Sequence, residues 1–149
     1  MTIQSSTNTS QMLRLIVMSL GDLTVACRIE TVYKIVKRSQ THSSGLTYTG
    51  IAHLDGRAVT VVDLQYKLFR ISIPKKEGYF TIIKPQQGEL LAIPVTTSPN
   101  LMDIPRDNVR TLPTAYRQSD TLSIASHVAI VSQGDITQTI FLLDENSLI

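Results

Sequence analysis

Tryptophan is absent from this 149-residue chain, aromatic residues make up only 5% of it, and there is a single cysteine, Cys27. So few aromatics leave no stacking platform of the kind that holds single-stranded nucleic acid. One thiol excludes an intramolecular disulfide and any zinc site built from several thiolates, and it fits a reducing compartment. A dominant charge is missing too. Lys and Arg number 14 against 12 Asp and Glu, a formal +2, too weak a field to gather nucleic acid or anionic lipid. No apolar run approaches the roughly 20 residues of a membrane helix; the one at residues 15–18 stops at Ser19. Hydrophobic residues at 42% and charged residues at 17% suffice for a folded core.

Residues 1–11 are rich in Ser and Thr and have neither a basic opening nor an apolar stretch with a small-residue cleavage signal. They read as a flexible tail, with residues 12–149 as one domain of two small subdomains and the cytoplasm as the default location. Leu23, Val25, Cys27 and Ile29 alternate with polar or small residues, the period of a strand with one face in a core. Gly21-Asp22 joins this run to residues 14–20 as a two-residue type II′ hairpin, because glycine takes the positive φ cheaply. Three more hairpins follow the same logic: around Asp55-Gly56-Arg57, around residues 85–88 and around Gln133-Gly134-Asp135. Helical signals are short. Val32, Ile35 and Val36 have the spacing of one or two turns over residues 31–37, a stripe that serves either core packing or docking. Asp63 is placed to cap a turn through Phe69, and Asp144 another at the C-terminus. Many short strands with turns every 8 to 12 residues or so indicate an all-β barrel or sandwich.

Catalytic chemistry finds little to stand on. His42, His53 and His127 are far apart in sequence, and none has a second ligand at helical spacing, so no metal site and no cofactor are expected. Ser126 and His127 are neighbours on a strand, whose side chains point to opposite faces and so cannot pair as nucleophile and base. No nucleophile elbow or phosphate-cradling glycine run is present. Cys27 reads as a packed thiol, although Arg28 beside it could favour a thiolate. Lys34, Lys37 and Arg38 beside Tyr33 read as a solvated face.

Residues 50–64, Gly-Ile-Ala-His-Leu-Asp-Gly-Arg-Ala-Val-Thr-Val-Val-Asp-Leu, resemble the central signature of CheW-like coupling proteins of bacterial chemotaxis. Gly50, Leu54, Gly56, Val59, Val61, Val62, Asp63 and Leu64 stand where that pattern asks, without gaps. Flanking strands and the C-terminal turn extend the resemblance over nearly the whole chain from Met12. It implies an all-β fold: two intertwined, small five-stranded SH3-like barrels with short helical turns and apolar residues between them.

The resemblance also implies a non-enzymatic adaptor that couples chemoreceptor cytoplasmic tips to the regulatory domain of a CheA-like histidine kinase, in chemotaxis, phototaxis or pilus motility. It binds neither nucleic acid nor the membrane directly. The receptor- and kinase-facing groove carried over residue by residue includes Ile29, Val32, Ile35, Gly50, Leu54 and Gly56, with Lys34 and Asp55 at its rim; Asp63 and Leu64 belong to the structural motif. Departures from the pattern are His53 for Asn, Thr60 for Pro and Gln65 for Arg, with Thr96 and Ser98 where an Asp and an aliphatic are common. Two charges are reversed, Lys34 standing for the usual Glu and Asp55 for the usual Arg. In the implied fold these two face each other, so reversing both keeps their attraction while inverting the field shown to a partner. A small-barrel nucleic-acid binder is the alternative, as is a relative that binds kinase but not receptors.

Overall fold

Alternating apolar residues and glycine turns resolve into twelve strands in the computed structural model, which describes residues 11–43, 48–71, 77–117 and 122–149. In chain order these are β1 (Met12–Leu20), β2 (Leu23–Arg28), β3 (Val32–Lys37), β4 (His42–Ser43), β5 (Thr49–Leu54), β6 (Arg57–Val62), β7 (Tyr79–Ile83), β8 (Leu91–Val95), β9 (Asn100–Pro105), β10 (Val109–Thr111), β11 (Ala125–Gln133) and β12 (Ile136–Leu143). The expected tail, apart from Gln11, lies outside the described residues.

Two sheets form, ordered β10-β11-β12-β2-β1-β9 and β3-β7-β8-β6-β5-β4. Each has five strands of five to nine residues and one short strand at its edge, β10 of three residues or β4 of two. The second sheet is built wholly from residues 32–95. The first is not contiguous: β1 runs antiparallel to β9, and β2 runs parallel to β12 near the other end of the chain. This interleaving is the intertwined pair that the sequence resemblance implies.

Strands that bury both faces explain why so many of these runs lack polar residues. On β1, Leu15 and Val17 enter one apolar cluster with Ala26, Ile104, Ala129, Ile140 and Leu142, the interior of the first sheet. Met18 and Leu20, on the opposite face, enter another with Val25 and Cys27. That second cluster also takes Val62, Ile83, Leu91, Ile93 and Val95 from the other sheet and Leu64 from the helix after β6, so it is the seam between the two. Ala52, Val59, Val61, Phe80, Ile82 and Ala92 fill the interior of the second sheet. Fully burying such side chains supplies roughly 1.5–3 kcal/mol each before the entropy of ordering is counted.

The glycine turns form where the sequence places them. Gly21 has φ +62° between β1 and β2, and Gly134 has the same value between β11 and β12. Asp55 (φ +53°) and Gly56 (φ +78°) both lie in the left-handed region, the signature of a type I′ turn. Leu54 pairs directly with Arg57, so this loop has two residues rather than the expected three. Asp63 caps the helix Leu64–Phe69, its Oδ1 accepting from Tyr66 N at 3.0 Å, and Asp144 accepts from Asn146 N at the last 3₁₀ turn.

Residues 31–37 depart from expectation. They form a strand, not a helix: a 3₁₀ turn covers Ile29–Thr31, and β3 follows, paired with β7. Its register shifts between Val32 and Lys34, so Val32 packs into the seam while Val36 packs into the second interior. Exposure still alternates along β3, and a spacing of four puts Val32 and Val36 on one side of a strand as well as of a helix, so it does not tell the two apart. Ile29 likewise leaves the alternating face of β2 and is 37% exposed.

Candidate partner-binding surface

β3 is the edge of the second sheet, and its residues alternate between half-buried and exposed. Tyr33 (53% exposed) and Ile35 therefore project outward, with Ile29 exposed in the preceding turn. An unpaired strand edge that carries apolar side chains is a ready template for association, and proteins commonly guard such edges with charge. Lys34 supplies it. Its Nζ donates to Asp55 Oδ2 across from the β5–β6 turn and also lies 5.7 Å from the Tyr33 ring centre. The hydrogen bond to Asp55 is the main cause that raises the Lys34 pKa above its ordinary value.

The expected site residues thus divide by environment. Ile29, Lys34, Ile35, Asp55 and Gly56 reach solvent, with Lys34 and Asp55 in contact as their opposite charges imply. Val32 and Leu54 are half-buried and pack against the seam and the second interior respectively. Gly50 is buried: a Cβ there would stand 2.7 Å from the His42 carbonyl oxygen and 2.6 Å from Thr41 Cγ2. Its local role is to let β4 approach β5. Asp63 caps the helix that follows β6, and Leu64 is fully buried in the seam. Burial raises the Asp63 pKa, opposed by the Tyr66 N–H and the charge of Arg38.

A cleft of about 790 Å³ runs between the two sheets. None of the eight expected partner-binding residues lines it; its lining includes Arg28, Glu30, Lys84, Arg106, Arg117 and His127. Arg117 Nη2 pairs with Asp144 Oδ2 at 3.3 Å within it. Sequence reasoning missed this concentration of charge because its members come from six separate segments. A smaller cleft of about 420 Å³ lies beside β3, bordered by Tyr33, Arg57, Lys84, Glu89 and Leu90.

Ser126 and His127 also differ from expectation. The β11–β12 register shifts between Ala125 and His127, and this bulge turns the two side chains toward each other, with Ser126 Oγ 2.7 Å from His127 Nδ1. Among the described residues this pair has no carboxylate shown holding the other imidazole nitrogen, and no three His, Cys, Asp or Glu side chains gather as a metal cluster. Cys27 is fully packed and its thiol is pushed up to about 12, chiefly by burial and further by the charge of Glu145. A thiolate favoured by Arg28 is thereby excluded.

The model of the CheW-like domain matches residues 14–149, almost every residue from the first strand onward. The chain belongs to the CheW-like domain family. Fold comparison agrees. This CheW-like domain superposes on the scaffolding protein TtCheW from Thermoanaerobacter tengcongensis with a TM-score of 0.72 over 89% of this chain and 84% of that one, at 18% identity. At that identity the likeness is one of fold. Among curated proteins nothing matches the sequence. No described helix is long and apolar enough to cross a membrane.

Proposed function

We propose that this chain is a non-enzymatic cytoplasmic adaptor that couples chemoreceptor signalling domains to a CheA-like histidine kinase in a chemotaxis, phototaxis or pilus-motility pathway. Membership of the CheW-like family supports the class of role. The observation that carries the binding surface is the exposed edge of β3, where Tyr33 and Ile35 flank the Lys34–Asp55 pair. Apolar side chains at an edge rimmed by charge suit a reversible contact, in which the apolar groups give affinity and the charges give selectivity. Such an adaptor alters kinase output by raising the effective concentration of one partner at the other.

The reversed charges make the proposal specific. Lys34→Glu alone places two carboxylates together and Asp55→Arg alone places two cations together, so each weakens binding to the cognate kinase regulatory domain or receptor tip. The double reversal restores attraction and shifts preference toward partners suited to the usual family pattern. Calorimetry of the wild type and three variants against every CheA-like regulatory domain and receptor tip of the source organism is the test. No binding by the wild type to any of them overturns the adaptor reading, and equal binding by all four proteins overturns the role of the pair.

A further inference from the structure

Two of the three histidines that stand far apart in the sequence meet in the fold. β4 pairs with β5 so that His42 lies opposite Ile51, and His53 is two residues further along β5 on the same face. Such diagonal neighbours are within mutual reach of large side chains. Their ring centres are 6.4 Å apart with planes at 72°. Both are exposed, as is Ile51 between them. The nearest carboxylate along β5, that of Asp55, is engaged by Lys34.

From this we propose a surface site for a divalent transition metal ion, chelated by His42 and His53 with water completing the coordination shell. Ring nitrogens bind such ions at about 2 Å, so two imidazoles that share one ion have centres roughly 5 to 6 Å apart. The observed 6.4 Å is somewhat wider than this, so the two rings must turn toward each other to share an ion, and their exposure leaves room for that movement. Imidazole pairs suit Cu²⁺, Ni²⁺ and Zn²⁺ and discriminate against Mg²⁺ and Ca²⁺, which require oxygen. Cu²⁺ binds more tightly than Ni²⁺ or Zn²⁺ on the general affinity order. Two ligands on a surface make a site that takes up and releases its ion; the core clusters do not include either histidine, so folding is independent of it.

The rival account is an edge-to-face aromatic pair with no ligand. Titration of the full chain with Cu²⁺, Ni²⁺, Zn²⁺ and Mg²⁺ separates the two, run on the wild type and on His42→Ala, His53→Ala and His127→Ala. The site predicts one equivalent of Cu²⁺ bound, no heat with Mg²⁺, and an affinity loss of at least tenfold in each of the first two variants but not in His127→Ala. Cu²⁺ electron paramagnetic resonance, expected to show two equatorial nitrogens in the wild type and one in either variant, reads the ligands directly and does not depend on affinity. Equal Cu²⁺ affinity in the wild type and both variants, loss of binding only in His127→Ala, or a spectrum unchanged by His53→Ala overturns the proposal.

Discussion

Replacing Gly50 by alanine tests how a buried glycine divides its cost between fold and edge. The added Cβ meets the His42 carbonyl oxygen at 2.7 Å and Thr41 Cγ2 at 2.6 Å, so something must move. The side chain of Thr41 can turn, but the carbonyl belongs to the backbone of β4. Among the described residues that strand is held to β5 at two positions, His42 opposite Ile51 and Ser43 opposite Gly50, and it lies at the sheet edge. Releasing it forfeits about two hydrogen bonds at roughly 0.5–1.5 kcal/mol net each, a ceiling of about 1–3 kcal/mol. In a protein of this size the melting temperature then falls by about 2–12 °C. Gly78→Ala has no such escape. Its Cβ would overlap the Val95 carbonyl oxygen, φ there is +91°, and the obstructing strand β8 is pinned between β7 and β6. Backbone strain alone adds about 1–3 kcal/mol, so Gly78→Ala is the more damaging change. Since the chain lacks tryptophan, urea unfolding is followed by far-ultraviolet circular dichroism, with hydrogen exchange to locate the change. Faster exchange at residues 42 and 43 with β6 and β8 still protected is expected for Gly50→Ala. A cost for Gly50→Ala equal to or above that of Gly78→Ala, or loss of protection throughout the second sheet, would refute the reasoning.

Thr81 is completely buried and its Oγ1 has no hydrogen-bond partner among the described residues; Thr81→Val keeps the shape, removes the stranded hydroxyl and is expected to raise stability by about 1 kcal/mol, seen as a higher urea midpoint with an unchanged slope. The Cys27 thiol, raised from 9.0 to about 12 in the fold, stays protonated in the native state while the unfolded chain ionises between these values. Stability present below pH 9 is therefore lost as pH rises toward 12, at up to about 1.4 kcal/mol per pH unit, and Cys27→Ala removes that part of the slope. Alkylation of Cys27 at pH 8 is correspondingly negligible until urea unfolds the protein.

Much of the architecture is legible in the residues because turns and burial speak locally. Gly21, Gly56 and Gly134 mark hairpins whatever the rest of the chain does, and Asp63 marks the start of its helix through one side-chain acceptor. What escapes the sequence has separate causes. Val32 and Val36 look helical because a spacing of four fits a strand face as well as a helix face. The bulge at Ser126 on β11 brings Ser126 and His127 together although neighbours on a regular strand diverge. The opposed charges of Lys34 and Asp55 were readable once their positions were set against a family pattern, and their contact is in the structure. The cleft between the sheets was not readable, because sheet order rather than sequence order assembles it.

The parallel pairing of β2 with β12 bears on how the chain folds during synthesis. Residues 32–95 hold every strand of the second sheet, so that half can close while the remainder is still being made. The first hairpin cannot: β1 waits for β9, and β2 waits for β12. Meanwhile Leu15, Val17 and Ala26, whose apolar neighbours come from β9, β11 and β12, stay open on a nascent chain, a hazard for slow, non-local strand pairing. Completion of the first sheet from its last strands is thus the step that makes the molecule whole, and shortening the chain within β12 leaves the opening hairpin without its neighbour rather than trimming an end.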